Sequence, residues 1–383
     1  MTLNSLLEWL AFLLLWPGLL LLRWRRQPVE KWLLIVEPFG LGDALSLSII
    51  LDTLQRELPD HHVALLLKNE NAALYDGDPR VALVVTAPFP WSRLSGRKQG
   101  SWRDWRAVWR ATAQLRALRP QFGLDTRSEI RSHILMVLCG CRERVGFLNY
   151  LNTNLNSRGL LLTRRVSKPP VMHRYDMNRR LVEEGLGVQC GPLTFPTFGF
   201  SNPRTMDATS LVLLHPGARW KFKQWPLGNW VTLVATLRQA ANVELRLIGM
   251  DTEGPLLQEL AGKCRPPPPI LLTSLDELAA QLRQAALLIC LDSGPMHMAV
   301  TLGTPVLALF GPGDVELWRP PGHHDRYLHV RYPCNPCLQK ICVHPEDSCM
   351  TKISPAAVLQ EALAMLRASP PATVTAQQTP SSA

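Results

Sequence analysis

The chain has 383 residues, 46% of them hydrophobic and 19% charged, which excludes a disordered polypeptide and leaves room for two domains with separate cores. A formal net charge of +10 and a pI near 9.4 point to an anionic partner: a membrane surface, a phosphorylated substrate or nucleic acid. No nucleic-acid recognition motif accompanies that charge, and five of the nine cysteines are scattered singly, which suits a reducing compartment without a disulfide framework.

Residues 6–22 are almost wholly apolar, with Glu8 the only charge, and Arg23-Trp24-Arg25-Arg26 follows. A cleaved leader carries its basic residues before the apolar core and a small-residue cleavage site after it; this segment has neither. It is shorter than the roughly 20 apolar residues of a full span, and Pro17-Gly18 interrupts it. It therefore reads either as a short kinked span or as an interfacial or re-entrant anchor. Both readings put the arginine cluster on the cytoplasmic side. Residues 1–26 are assigned as a membrane anchor, and the rest of the chain as cytosolic.

Residues 32–37 (WLLIVE) form the continuous apolar run of a strand buried on both faces, and Gly40-Leu41-Gly42-Asp43 leads into an apolar-periodic helix to about residue 58. A dinucleotide fingerprint fails here, because Leu45 stands where the third glycine is required. Asp43 is either a helix-capping carboxylate or a functional one at the ligand-binding edge of the sheet. Further strands are expected at 63–68 and 81–86. Residues 91–119 carry Trp91, Trp102, Trp105 and Trp109 among eight basic residues and a single acid, Asp104. Trp102, Trp105 and Trp109 recur at helical spacing and share one face. That face is either an aromatic stripe in the core or an amphipathic surface pressed on anionic lipid. A strand at 122–125 precedes Arg127, Ser128 and Arg131, and His173-Arg174-Tyr175-Asp176 opens a later helix.

A Pro-, Gly- and Phe-rich linker at 192–203 introduces a second strand–helix series. The strand at 211–214 runs into His215-Pro216-Gly217-Ala218, with Lys223-Gln224-Trp225-Pro226 beyond. A glycine-bearing turn lets the backbone approach a diphosphate, and a nearby lysine neutralises it; Lys223 is that cation or a surface lysine. After the strand at 243–248, Asp251 and Glu253 are candidate acceptors for ribose hydroxyls, and residues 271–275 would pass the base. The run LLICLDSGPMHMAVTLGTPVLALFGPGD at 287–314 reads as strand, loop, helix, strand, loop. A helix opening at the carboxyl end of a parallel strand presents free N–H groups and partial positive charge, a ready anion site. Cys334, Cys337, Cys342 and Cys349 form the one metal-like spacing, but only the first couple is close, so they are either a structural metal site or reduced loop thiols. A closing helix is expected at 354–367, and 369–383 reads as a disordered tail.

Three elements, F-G-L-G-D at 39–43, H-P-G-A with K-x-W-P at 215–226, and D-S-G-P-M-H with G-T-P-V-L-A-L-F-G-P at 292–312, together resemble glycosyltransferase family 9, the bacterial lipopolysaccharide heptosyltransferases and their relatives. The resemblance covers about residues 32–367. It implies the α/β GT-B fold, two facing Rossmann-like domains: 27–195 for the acceptor and 196–368 for the nucleotide sugar. It implies an inverting transferase that moves a sugar, by analogy heptose, from ADP-heptose or another nucleotide sugar to a membrane glycolipid in lipopolysaccharide or cell-surface glycan synthesis. The place implied is the cytoplasmic face of the bacterial inner membrane, reached through residues 1–26 and the 91–119 surface. Carried over residue by residue, Asp43 is the base and Lys223 the leaving-group cation. His215, Gly217, Glu253, Asp292, Ser293, Gly294, Met296 and His297 bind the donor, and Arg127 and Arg131 are candidates for an anionic acceptor. The site supplies its own cations, so no cofactor or catalytic metal is demanded. The competing readings are a GT-B enzyme using another donor such as a UDP-hexose, and a non-catalytic, membrane-attached nucleotide-sugar-binding protein.

Overall fold

The computed structural model describes residues 9–15, 17, 30–92, 101–127, 129–148, 159–167, 172–191, 210–218, 220–322, 324–337 and 342–368. The chain divides into two compact units, Met1–Ser201 and Asn202–Ala383, each built on its own six-stranded sheet.

In the first unit the strands are β1 (Lys31–Glu37), β2 (His61–Lys68), β3 (Leu83–Ala87), β4 (Phe122–Asp125), β5 (Glu143–Leu148) and β6 (Arg164–Ser167). All pair in parallel, in the order β3-β2-β1-β4-β5-β6. Its helices are α1 (Leu41–Leu45), α2 (Ser48–Glu57), α3 (Trp102–Leu118), α4 (Ile130–Leu138) and α5 (Arg174–Leu186). Helices cover both faces of the sheet, which is why Leu33–Val36 of β1 is fully buried without alternation. On one face Leu34, Val36 and Leu66 pack with Val108, Ala111 and Leu115 of α3 and Leu135 and Met136 of α4. Elsewhere in the unit α2 lies against α5.

The single helix expected from residue 41 to about 58 is two helices. The Ser46 hydroxyl donates to the Asp43 carbonyl (2.6 Å), and the Asn178 amide donates to the Ser46 carbonyl (2.7 Å). Those side-chain bonds compete with the helix ladder and end α1 after five residues. Asp43 is thereby held on a short helix at the edge of the sheet.

The second unit repeats the plan with β7 (Ser210–His215), β8 (Val243–Gly249), β9 (Ile270–Leu272), β10 (Leu287–Leu291), β11 (Val306–Phe310) and β12 (Arg326–His329). The order is β12-β11-β10-β7-β8-β9, again all parallel. The helices are α6 (Leu227–Ala240), α7 (Gly254–Lys263), α8 (Leu275–Gln284), α9 (Gly294–Thr301), α10 (Val315–Trp318) and α11 (Pro355–Ala368). Val212, Leu214, Ile289 and Leu309 pack with Trp230, Leu233 and Leu237 of α6 and Val358, Ala362 and Met365 of α11. In each unit the first strand is flanked by the second and the fourth. That arrangement reverses the direction of winding between β1 and β4 and between β7 and β10, where doubly wound sheets open a crevice at the carboxyl ends of their strands.

Of the expected anchor, residues 9–15 and 17 are described, and they are helical. Among the described residues no helix is long and apolar enough to cross a membrane. The expected linker at 192–203 and tail at 369–383 lie outside the described residues.

Gly185 marks the closest approach of α5 to the sheet: a Cβ there would sit 2.2 Å from Cγ1 of Val145 on β5. Gly185→Ala is therefore expected to destabilise the chain by about 1–3 kcal/mol, overpacking outweighing the gain in helix propensity. Chemical denaturation should show the loss, and Val145→Ala in the same chain should restore part of it.

Candidate active site

The crevice of the first unit lies between the ends of β1 and β4. β1 closes on Glu37, Pro38 and Phe39 lead to Gly40, and α1 carries Asp43 in its first turn. β4 closes on Asp125, and the turn into α4 supplies Thr126, Arg127 and Glu129. Asp43 Oδ1 receives Nη1 of Arg127 at 2.8 Å and lies 3.7 Å from Nε of Arg174. Its Oδ2 has no partner among the described residues. Both the Asp43 and Arg127 side chains are 13% exposed, so the pair sits at the surface of the crevice.

Behind it lies a buried layer. Glu37 and Arg174 are fully buried, and Arg174 binds Glu37 at 3.3 Å and the Thr126 carbonyl at 2.8 Å. Glu37 also accepts the Thr126 hydroxyl and the Phe39 N–H. Burial, with the charge of Asp43 added, pushes the Glu37 carboxyl up to about 7 against the opposing pull of Arg174 and Arg127. Asp125 organises the β4 turn by accepting the N–H groups of Arg127 (3.0 Å) and Glu129 (2.8 Å), with His133 Nε2 at 2.9 Å. Arg127 thus lies over the Phe39 ring, 4.7 Å from its centroid, and holds Asp43. Arg131 instead pairs with Glu129 at 3.3 Å and lies over Trp91. Glu37, Thr126 and Arg174 carried no role in the sequence reading. A charged residue closing the apolar run WLLIVE, and the arginine inside H-R-Y-D, were the signals available.

In the second unit the crevice lies between the ends of β7 and β10, where Cys290 pairs with His215. His215 is buried, with Nε2 3.2 Å from Oε2 of Glu253 and Nδ1 3.3 Å from the Ser293 hydroxyl. Glu253 also accepts the Met250 N–H at 2.9 Å. Burial opposes its charge, but His215 and that N–H prevail and hold its carboxyl below the usual range. Lys223 Nζ lies 2.5 Å from Oδ2 of the buried Asp292 and 3.4 Å from its carbonyl. Two glycines make room for these carboxylates: a Cβ on Gly217 would collide with Oε1 of Glu253, and one on Gly313 with Oδ2 of Asp292. Gly313 was not singled out by sequence, although it lies in the F-G-P-G-D segment.

Ser293 is the N-cap of α9, but its hydroxyl turns to His215 and the Leu291 carbonyl and makes no cap bond. The first-turn N–H groups of α9, from Gly294 onward with Pro295 contributing none, are therefore not taken by a capping side chain. The Met296 side chain is buried, and the His297 ring packs edge-on against Trp318, 5.3 Å between centroids. Whatever Met296 offers a ligand comes from its backbone. The sequence-predicted donor residues His215, Gly217, Glu253, Asp292, Ser293 and Gly294 share one crevice, and Lys223 joins them through Asp292.

All nine cysteines are free thiols, and among the described residues no group of three or more His, Cys, Asp or Glu is arranged to hold a metal ion. The Cys349 thiol, one of the four clustered by sequence, is pushed up by burial, opposed by a bond from Asn335 and reinforced by Cys337, Cys342 and Cys334.

Glu129, like Glu37, is pushed by burial to about 7, well above the ordinary glutamate value of 4.5. Between those two values the folded chain keeps a proton that the unfolded chain has released, so this group favours folding less as pH rises through the window. Glu129→Gln removes the effect while keeping an acceptor for Trp91, whose Nε1 donates to Oε2 at 3.1 Å. The melting temperature of the variant, measured against the unmodified chain, should rise between pH 5 and pH 8; a constant gap would contradict the assignment.

The model of glycosyltransferase family 9 (heptosyltransferase) matches residues 108–346. Lipopolysaccharide heptosyltransferase 1 of Pseudomonas aeruginosa is 24% identical over 363 residues, covering 88% of this chain and 98% of that protein. Lipopolysaccharide heptosyltransferase 3 of Escherichia coli K12 is also 24% identical, covering 73% and 82%. Among solved structures, a glycosyl transferase family 9 protein from Veillonella parvula superposes with a TM-score of 0.70 at 18% identity, over 90% of this chain and 99% of that one. E. coli heptosyltransferase WaaC with ADP gives 0.69 at 19%, over 88% and 100%. The matched family model spans more than half of the chain, and the sheet order within each unit and the three motifs accord with it: the protein is a glycosyltransferase and belongs to family 9.

Proposed function

We propose that the chain transfers heptose, with inversion, from ADP-heptose to a lipid-linked acceptor in lipopolysaccharide core synthesis at the cytoplasmic face of the inner membrane. The names of its relatives, lipopolysaccharide heptosyltransferases 1 and 3, support the sugar and the pathway class. ADP and an ADP-2-deoxy-2-fluoro heptose are bound by the E. coli structural relative, which supports the donor. The carrying observation is the chemistry divided between the two crevices: a carboxylate with one open oxygen in the first, and a lysine, a carboxylate pair and an open helix N-terminus in the second.

In this reading residues 27–195 bind the acceptor and 196–368 the nucleotide sugar. Asp43 Oδ2 takes the proton of the acceptor hydroxyl as its oxygen bonds to the anomeric carbon. The bond from that carbon to the diphosphate breaks on the opposite side, and ADP leaves with the electron pair. Inversion follows from this single displacement. Arg127 and Arg174 hold Oδ1, so Oδ2 is fixed in direction; base assistance of this kind contributes roughly 10²–10⁴ in rate. The diphosphate gains charge as it departs. In this reading Lys223, held by Asp292, and the α9 N–H groups meet that charge, and groups fixed in advance need little reorganisation. Glu253, anchored by His215, accepts from the ribose hydroxyls on the same reading, and Asp292 contacts the donor sugar. Residues 1–26, again in this reading, anchor the enzyme at the membrane.

The deciding assay supplies ADP-heptose and heptose-free lipid core and reads the product by mass spectrometry; lipid-linked glycans from cells with and without the gene should likewise differ by a heptose. Identical glycans would overturn the reading, and turnover with UDP-hexoses alone would replace the donor. Asp43→Asn should lower turnover by roughly 10²–10⁴ and leave ADP affinity unchanged. Lys223→Met should lower both. Gly313→Ala should weaken donor binding by driving Asp292 off Lys223. An Asp43→Asn enzyme with full activity would remove this residue from the mechanism.

A further inference from the structure

Helix α3 presents three stripes. The buried stripe is Val108, Ala111, Thr112 and Leu115. At about 100° per residue, Trp102, Trp105 and Trp109 fall roughly a quarter-turn to one side of it, and Arg103, Arg106 and Arg110 a further quarter-turn beyond. The tryptophans are 66%, 45% and 58% exposed, and the three arginines are exposed as well. Of two expectations for these rings, core stripe or surface face, the surface one holds. Elsewhere in the first unit, large exposed apolar side chains among the described residues occur only on residues 9–14. Asp104, the single acid in 101–119, sits in the capping box with Ser101, and against it the same segment carries five arginines, so the helix is strongly positive. Guanidiniums of Arg103 and Arg106 lie 5.9 and 6.0 Å from the Trp102 ring.

We infer that this face docks on a bilayer surface carrying anionic lipid phosphates, with the tryptophans entering the headgroup layer and the arginines meeting the phosphates. Tryptophan is an amphipathic ring suited to that layer, and each cation near an anionic surface adds to binding. A protein partner would be met by a drier, less charged patch; here the charge flanking the rings is of one sign. The face also leads to the first crevice. Trp105 rests on Trp91 at 5.6 Å, Trp91 donates to Glu129, and Glu129 shares the Asp125-organised turn with Arg127, which holds Asp43. A lipid-linked acceptor would thus meet the base beside the surface that binds its membrane; this part rests on the transferase reading above, whereas lipid docking itself does not.

The test is co-sedimentation of the full chain, without donor or acceptor, on phosphatidylglycerol–phosphatidylethanolamine vesicles and on phosphatidylcholine vesicles. Two variants are compared: Trp102→Ser/Trp109→Ser, which spares the Trp91–Trp105 contact, and Arg103→Gln/Arg106→Gln/Arg110→Gln. The arginine variant should lose up to about a hundredfold in partitioning on the anionic vesicles only, with a flatter salt dependence. The tryptophan variant should bind at least about tenfold more weakly to the anionic vesicles. Both should keep native melting temperatures and turnover on a detergent-solubilised acceptor. Unchanged partitioning of both variants would overturn the proposal. So would sedimentation velocity showing that the tryptophans instead hold two copies of the chain together. Wild-type binding to these vesicles, together with no heptose transfer in the separate ADP-heptose assay, would overturn the transferase reading and leave the docking face standing.

Discussion

A parallel strand that turns into a helix leaves unpaired N–H groups and partial positive charge at one edge of the sheet, and where the winding reverses, no connection covers that edge. Each unit of this chain has that edge once, between β1 and β4 and between β7 and β10. The functional side chains follow from it. Asp43, Arg127, His215, Asp292 and Ser293 all stand within a few residues of the four strand ends concerned. Both crevices share a backbone plan, and their chemistry differs only because different side chains were placed on it.

The first crevice is organised by charge held away from water. Arg174 can be fully buried because Glu37, the Thr126 carbonyl and Asp43 surround it. The cost of that arrangement appears in Glu37, whose carboxyl rises to about 7 because burial and Asp43 together outweigh two guanidiniums. What the layer achieves is direction: Arg174 and Arg127 fix one oxygen of Asp43 and leave the other open. In the second crevice the same logic uses fewer charges. His215 and a backbone N–H keep Glu253 ionised, and glycines at 217 and 313 make room for the carboxylates to turn inward.

Membrane affinity would come from an ordinary device. A helix covering a parallel sheet needs only one apolar stripe, and α3 fills that with valine, alanine, threonine and leucine. Its tryptophans are surplus to the core, and an outward stripe of large rings beside exposed arginines is tolerable for a protein at a lipid interface.

Much was legible before any coordinates. Strands 32–37, 122–125 and 287–291 are short, mostly apolar runs without polar alternation, the pattern that a sheet covered on both faces accommodates, and Pro226, Pro295 and Gly303 mark helix ends through their own backbone limits. The strand-end turns carrying Asp43, His215, Asp292 and Ser293 were legible as local motifs, but their roles, and the choice of Glu253 over Asp251, came from the family resemblance. Less visible were the break between α1 and α2, which depends on Asn178 reaching Ser46 across 132 positions, and the strands β5, β6 and β12, which are short and polar at their edges. Sequence alone thus determined the strand–turn–helix units and which residues stand at their ends, since those follow from hydrophobic period and the backbone limits of proline and glycine. Only the tertiary structure decided that Arg127 belongs to Asp43 and Arg131 to Glu129, that Glu37 lies buried beneath them, and that the tryptophans of α3 face outward. Those outcomes depend on charges and surfaces brought together from distant parts of the chain, and no local pattern records them.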